Sequence, residues 1–355
     1  MKILHTADIH IREYGGERWK TLEKLIEIGK MEEIEIFVIS GDLFDKDIDA
    51  EKLRPKIREI FSNTGFIKII IIPGNHDSDS YSGGKYFGRD VKIFSDSDNC
   101  FEYEDVSIWG MPFETINREE ILIRLNKLAD NLSSDKKNIL LYHGELLDAC
   151  FSPIDLGNEG EKRYMPVKLS YFNDLNIDYI LAGHFHSHFD FWKLKNGGYF
   201  IYPGSPISIT QKETGQRKVN IFEVGEQPKD YLLETPHYKE IFIEFNPFED
   251  KKPLEVVENH LKNIHPNARV ILTIKGFINS EIIGMNETQL VEQIEKLLPN
   301  KWHENFNPEF MDIKAILEDD LFKKFIEKLE KTNFEKEKKK QMINIAIKAM
   351  GMMSS

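Results

Sequence analysis

The sequence predicts a layered α/β core, and three observations carry that prediction. Strand-sized apolar runs alternate with stretches of helical periodicity. The runs stop abruptly at Gly, Pro or Ser, and several stop on residues able to bind a metal. The clearest is Ile67 to Asp77, reading Ile-Lys-Ile-Ile-Ile-Ile-Pro-Gly-Asn-His-Asp. An isoleucine run is what a strand buried on both faces of a parallel sheet looks like. It ends at Pro73-Gly74, which neither extends the ladder nor readily starts a helix. Asn75, His76 and Asp77 follow at once, where ligands and catalytic groups collect in open α/β sheets.

Taken in order, Lys2–Thr6 reads as a strand, followed by the loop Ala7-Asp8-Ile9-His10. Arg18–Lys30 is a helix with Trp19, Leu22, Leu25 and Ile26 on one side. Ile36–Ile39 is a second strand, ending Ser40-Gly41-Asp42-Leu43-Phe44-Asp45, and Leu53–Phe61 reads as a helix with Pro55 near its start. After the isoleucine strand, Ser78–Gly88 reads as an exposed loop. Phe101–Trp109 alternates as a strand or hairpin arm, and Ile116–Leu132 carries Ile121, Leu125 and Leu128 at helical spacing. Asn138–Tyr142 is a strand ending His143-Gly144, and Asp148–Val167 a long irregular loop. Tyr179–Leu181 ends Ala182-Gly183-His184-Phe185-His186, and Gly198–Tyr202 ends Pro203-Gly204-Ser205-Pro206.

Composition shifts near Thr235-Pro236, and a smaller α/β unit is expected beyond it. Glu240–Phe245 and Ala268–Ile274 read as strands, Leu254–Asn263 and Glu287–Leu298 as helices. Asp319–Met350 reads as two amphipathic helices split by a turn at Thr332-Asn333. One stripe is Leu321, Phe322, Phe325, Ile326 and Leu329; the other is Met342, Ile345, Ala346, Ala349 and Met350. The expected domains are 1–236, 237–310 and 311–355.

At 355 residues the chain has room for about two domains, and 41% hydrophobic with 30% charged residues suits an ordinary globular protein. Every apolar run falls short of the ~18 residues that suggest a membrane span. Met1-Lys2-Ile3-Leu4 leads straight into a strand, so no signal peptide is expected. Two cysteines, Cys100 and Cys150, form no disulfide framework and suit a reducing cytoplasm. The net charge of −13 argues against broad electrostatic binding to nucleic acid unless positive charge is supplied locally, for instance by metal ions.

Five strand ends present metal-ligand side chains: Asp8 and His10; Asp42; Asn75 and His76; His143; His184 and His186. In an extended segment residues i and i+2 point to one side, so Asp8 and His10 can reach one ion together, as can His184 and His186 for neighbouring ions. Carboxylate, amide and imidazole without thiolate suit Mn²⁺, Fe²⁺ or Zn²⁺. A Gly-Asn-His-Asp alone is ordinary turn composition; the five clusters, each at a strand end, are not. Two ions ~3.5–4 Å apart need a shared carboxylate, for which Asp42 is the natural choice.

The order Asp-Xaa-His, Gly-Asp-Xaa-Xaa-Asp, Gly-Asn-His-Asp, His-Gly, Gly-His-Xaa-His resembles the calcineurin-like metallophosphoesterases, over residues 1 to about 220. That resemblance implies a β-sandwich flanked by helices. It also implies that Asp8, His10, Asp42 and His186 hold one ion, and Asp42, Asn75, His143 and His184 the other. Within the family the chain looks most like the double-strand-break repair nucleases called SbcD in bacteria, on Ala7-Asp8-Ile9-His10, Gly41-Asp42-Leu43-Phe44-Asp45 and Tyr202-Pro203-Gly204-Ser205-Pro206. It departs from them in Ser78-Asp79-Ser80-Tyr81, and it lacks the Arg-Pro-Ser that often follows the second motif in their archaeal relatives.

What this implies is an Mn²⁺-dependent phosphodiesterase acting on DNA, a homodimer, and an SbcC-type coiled-coil ABC ATPase partner gripped by the C-terminal helices. His76 is then the catalytic residue that stabilises the phosphoryl group or protonates the leaving oxygen, with Asp77 orienting it. The terminal helices have a plainer explanation too, folding back on the small domain. His5 is read as packing or support, and Asp45 as either support for the site or a cap. His188 is left out of the metal set, and His237, His260, His265 and His303 are expected to be exposed. Rival readings are a same-fold phosphoesterase for small nucleotides or phosphoprotein, and a metal-free scaffold.

Overall fold

A computed structural model describes residues 1–62, 64–82, 85–96, 99–149, 164–248 and 252–354. The chain divides into two units, Met1–Tyr238 and Lys239–Ser355. In the first, the chain runs through β1 (Lys2–Thr6), α1 (Glu17–Met31), β2 (Ile36–Ser40), α2 (Asp47–Phe61), β3 (Lys68–Ile72), β4 (Val91–Ile93), β5 (Cys100–Tyr103), β6 (Val106–Met111), α3 (Arg118–Ala129), β7 (Lys137–His143), β8 (Tyr179–Gly183), β9 (Asp190–Lys193), β10 (Tyr199–Tyr202), β11 (Lys218–Glu223) and β12 (Asp230–Leu232).

These strands form two six-stranded sheets, ordered β12-β11-β1-β2-β3-β4 and β5-β6-β7-β8-β10-β9. The central pairs β1-β2, β2-β3, β6-β7 and β7-β8 are parallel, so their carboxyl ends lie together at one edge of each sheet. Alternate residues divide each strand between two cores. Ile3, Ile36, Val38, Ile70 and Ile72 meet Ile108, Ile139, Leu141, Leu181 and Ile201 between the sheets. On the outer faces Leu22, Leu25 and Ile57 of α1 and α2 cover Leu4, Phe37, Ile39 and Ile71, while Ile121 and Leu125 of α3 cover Leu140 and Ile180. The architecture is a helix-flanked β-sandwich, which explains why the isoleucine strand is apolar at every position from Ile69 to Ile72.

Three local expectations are corrected. α2 begins at Asp47, so Pro55 lies inside the helix rather than near its start, costing one intrahelical bond. Asp47 and Asp49 in the first turn complement the helix dipole there. The 78–88 stretch is not simply exposed: Tyr81 and Phe87 are buried against Phe44. His237 is buried, its Nδ1 2.9 Å from Thr235 O. Most of the loop expected over 148–167, positions 150–163, lies outside the described residues.

The second unit holds a three-stranded sheet, β13 (His237–Phe245, which starts at the boundary), β14 (Ala268–Ile278) and β15 (Phe306–Asp312), in the order β13-β14-β15. Its helices are α4 (Pro253–Leu261), α5 (Ser280–Ile283), α6 (Glu287–Leu297), α7 (Lys314–Glu318), α8 (Asp320–Glu330) and α9 (Lys336–Ser354). Val257, Leu290 and Ile294 pack on Val270, Leu272 and Ile274. The last two helices bury Phe322, Leu329 and Ile347, and a cluster forms from Phe322 and Ile347 with Ile313, Ile316 and Phe277. On α9 the packed stripe is Ile343, Ala346, Ile347 and Met350; Ile345, placed in the stripe by sequence, is exposed, as is Leu321 on α8.

Candidate metal centre

The loops after β1 and β2 run side by side at the carboxyl edge of the first sheet. Asp8 N donates to Gly41 O at 3.1 Å, His10 N to Asp42 O at 3.0 Å, and Ile11 N to Leu43 O at 2.9 Å. The sharp turns put Asp8 (φ 55°), His10 (φ 52°), Asp42 (φ 51°) and His184 (φ 98°) in the left-handed region, where Asp and His are among the better tolerated non-glycine residues. Gly74 lets the loop after β3 press against Asp42: a Cβ there would lie 2.5 Å from Asp42 N and 2.6 Å from its Cγ. The second sheet is tied in where Ser40 Oγ donates to Leu181 O at 2.8 Å.

All five strand ends converge. Asp42 Oδ2 lies 3.7 Å from His10 Nε2 and 3.5 Å from His143 Nε2, so one carboxylate faces imidazoles from both sheets. On one side of it His186 Nε2 is 3.3 Å from His10 Nε2 and 3.8 Å from Asp8 Oδ1. On the other, Asn75 Oδ1 is 3.0 Å from His143 Nε2 and 3.2 Å from His184 Nδ1. Ligand atoms of Asp8, His10 and His186 fall within 4.8 Å of one another, as do those of Asp8, Asp42 and His143.

His76 also comes within that distance of His10 and Asp42. Its backbone N donates to Asp42 Oδ1 at 2.9 Å, and its Nδ1 lies 3.2 Å from Asp45 O. Like Asn75 it is half-buried, whereas Asp8, His10, Asp42, His143, His184 and His186 are buried.

Asp77 does not reach His76. Its carboxylate turns inward, accepting from Gly74 N at 2.8 Å, Phe44 N at 3.2 Å and Tyr81 Oη at 2.9 Å. It therefore fixes the turn that carries Asn75 and His76 rather than orienting the imidazole itself. Asp45 is not the cap of the following helix, a position that Lys46 occupies. It accepts from Arg18 Nη1 and Arg12 Nε, each at 2.9 Å, and stands 3.7 Å from His10 Nδ1.

The electrostatics are those of buried, opposed charges. Burial pushes Asp8 up to about 6 and, with Asp42's charge, Asp77 up to about 7. Burial acts the same way on Asp42, but His143 and His10 outweigh it and hold the carboxyl well below its usual range. Burial holds His10 down to about 3, whereas beside Asp42 and Asp8 the opposite pull wins and His143 rises to about 10.

These residues fit divalent cations. Among the described residues, Asp42 Oδ2 is buried and accepts no hydrogen bond, while imidazole nitrogens on either side of it face inward. His143 Nδ1 lies 2.8 Å from Ser40 O, which as an acceptor fixes the ring proton there and leaves Nε2 for a ligand.

Two residues escaped the sequence. Glu213, buried between β10 and β11, faces His186 Nδ1 at 3.4 Å, and Arg217 donates to the His186 and Ser205 carbonyls. Burial would raise Glu213, but His186 and the Ile209 N–H hold it at about 2. Their polar loop, Thr210-Gln-Lys-Glu-Thr-Gly-Gln-Arg217, carries no periodicity or ligand spacing to flag them.

Residues 1–188, more than half of the chain, match the calcineurin-like phosphoesterases. The chain belongs to that family. The family assignment makes it a hydrolase of phosphoesters, of a kind that uses dimetal centres. As a calcineurin-like phosphoesterase it is also similar to the SbcD component of the nuclease SbcCD of Staphylococcus saprophyticus, with 24% identity over 84% of this chain and 83% of that one. A crystal structure of a dimetal phosphatase from Danio rerio matches 62% of this chain and 91% of that one, at 11% identity and a TM-score of 0.44. Among the described residues, no helix of this phosphoesterase is long and apolar enough to cross a membrane.

Proposed function

We propose that this phosphoesterase is a DNA nuclease of double-strand-break repair, acting as a 3′→5′ exonuclease on duplex ends and an endonuclease on single strands. The observation that carries the chemistry is Asp42, whose buried carboxylate stands between His10 and His143 as a ligand shared by two ions must. The similarity to the SbcD component of SbcCD over most of both chains supports DNA as the substrate.

Asp8, His10, Asp42 and His186 would hold one cation; Asp42, Asn75, His143 and His184 would hold the second. Two divalent cations, Mn²⁺ first among them, supply Lewis acidity at the phosphoryl group and an acidified water. Asp8 and Asp42 bring about −2 against +4, so the site attracts a phosphodiester although the chain carries −13. His76, half-buried at the site, holds a ring proton and delivers it to the departing oxygen as the phosphorus–oxygen bond breaks. Asp77 keeps the 74–77 turn rigid beneath it.

In this reading residues 1–236 are the nuclease, 237–310 a capping and DNA-contacting domain, and 311–355 the segment that receives an SbcC-type coiled-coil ABC ATPase. Exposed Leu321 and Ile345 give those helices apolar surface for a partner. The enzyme works as a cytoplasmic homodimer.

The test is purified protein with Mn²⁺, Mg²⁺ or EDTA on end-labelled linear duplex, single-stranded circles and bis-p-nitrophenyl phosphate. Metal-dependent cutting of both DNAs is expected. Hydrolysis of the small ester with neither DNA cut would replace the nuclease by a small-molecule phosphodiesterase.

A further inference from the structure

Glu213 is far more heavily engaged than a turn residue needs to be. It sits 27 positions beyond His186, and its carboxylate is buried. Oε2 accepts from Ile209 N at 2.6 Å and Ser205 Oγ at 3.1 Å. Oε1 accepts from Thr210 N and Thr210 Oγ1, both at 3.2 Å, and faces His186 Nδ1 at 3.4 Å. Arg217, also buried, secures the same place from the backbone side. Its Nε donates to Ser205 O at 2.9 Å, its Nη1 to Ser187 O at 2.7 Å, and its Nη2 to His186 O and, at 3.1 Å, to Ser205 Oγ. The main chain that carries His186 is thus gripped by one charge and its ring faced by the opposite one.

Closing the 209–213 turn accounts for the Ile209 and Thr210 bonds; it does not account for an oxygen set against an imidazole nitrogen. A carboxylate only accepts, so the nitrogen facing it carries the proton. The other nitrogen, Nε2, then turns an unprotonated lone pair toward Asp8 and His10. We infer that Glu213 is a positioning residue of the metal centre, which fixes the tautomer and ring orientation of His186 so that Nε2 meets the cation held with Asp8 and His10. The inference rests on the reading of His186 as a ligand.

The experiment titrates Mn²⁺ into the metal-free full chain by calorimetry, comparing wild type, E213Q, E213D and H186A. Wild type is expected to take two ions and H186A to lose the tighter hold on one. E213Q should weaken that one site 10–100-fold, the usual effect of losing a partner behind a ligating histidine, and E213D should fall between. In long-range ¹H–¹⁵N spectra of the metal-free protein, the neutral His186 ring should be protonated at Nδ1 in wild type and mixed in E213Q, a change that a purely structural role does not make. If wild type binds no Mn²⁺, or H186A binds like wild type, the ligand reading itself falls. If H186A loses a site but E213Q keeps wild-type affinity and tautomer, Glu213 is only a turn residue and the inference is overturned. Should E213Q fail to fold, E213D decides alone: wild-type affinity in that variant overturns the inference too.

Discussion

Gly74→Ala tests the placement of the shared carboxylate without removing any ligand. Gly74 does not use the left-handed region, so an alanine adds a methyl group and little torsional strain. Its Cβ would stand 2.5 Å from Asp42 N and 2.6 Å from Asp42 Cγ, where ordinary contacts begin at 3.4 Å. One loop must therefore yield by about 0.9 Å, the difference between 3.4 and 2.5 Å. Rotation of the carboxylate cannot absorb this, because the backbone nitrogen of Asp42 is one of the atoms struck. That nitrogen belongs to a loop locked to the Asp8 and His10 loop through His10 N and Asp42 O at 3.0 Å. A misplacement near 1 Å at a reacting centre costs about 100-fold. The variant should thus lose about two orders of magnitude in kcat on bis-p-nitrophenyl phosphate, with weaker Mn²⁺ binding at both sites and an unchanged circular dichroism spectrum. A folded G74A enzyme with wild-type kcat and metal affinity would show that Asp42 is not the shared ligand.

His76→Ala should keep Mn²⁺ and DNA binding, measured by calorimetry and by gel shift in Ca²⁺, while cleavage falls about 10²–10⁴-fold; loss of both ions would instead make His76 a ligand. His5, buried in β1, has its pKa held at about 3 by burial against 6.5 when unfolded. The unfolded chain therefore binds the proton first, and stability attributable to His5 is present above pH ~6.5 and lost as pH falls toward 3. In EDTA, urea unfolding of wild type should lose about 3 kcal/mol more than His5→Phe between pH 7.5 and 4.5, and equal losses would refute the assignment. Phe322→Ala, in the cluster with Ile313, Ile316 and Ile347, should cost the second unit about 3–5 kcal/mol and raise amide exchange in α8 and α9. Unchanged exchange there would mean these helices do not depend on that core.

The site was legible in the sequence because its ligands come as short strings at the ends of apolar strands. Asp8 with His10, Asn75 with His76, and His184 with His186 are each visible in a few letters. What supports them was not, because support is made across the fold. Glu213 and Arg217 act on a histidine 27 and 31 positions away, from a loop with no pattern of its own. The inward turn of Asp77 depends on Phe44 N and Tyr81, neither of which its neighbours in sequence announce. Strands were missed for equally local reasons. β4, β9 and β12 have three or four residues, too few for an alternation to register. β15 carries Pro308, which argues against a strand unless it lies at a sheet edge, as it does beside β14. On α9 apolar residues crowd the stretch from Met342 to Met350 and let two adjacent stripes compete, and packing on Phe277 and Ile316 favours the one with Ile343 and Ile347.

The sandwich, more than any single loop, sets the geometry of the centre. Asp8, His10, Asp42, Asn75 and His76 come from the first sheet, and His143, His184 and His186 from the second. Their separations are therefore fixed by how Ile36, Val38 and Ile70 pack against Ile139, Leu141 and Leu181. The loops they end on are not relaxed: left-handed torsions at Asp8, His10, Asp42 and His184 cost on the order of 1–3 kcal/mol each. Buried Asp8 and Asp42 add repulsion. Such a conformation persists only where the surroundings over-determine it, and here they do, through the Asp8–Gly41, His10–Asp42 and Ser40–Leu181 bonds that join the loops and the two sheets. The strain is thus held by the packed sheets and by the bonds between the loops, which is what a preorganised cation site requires.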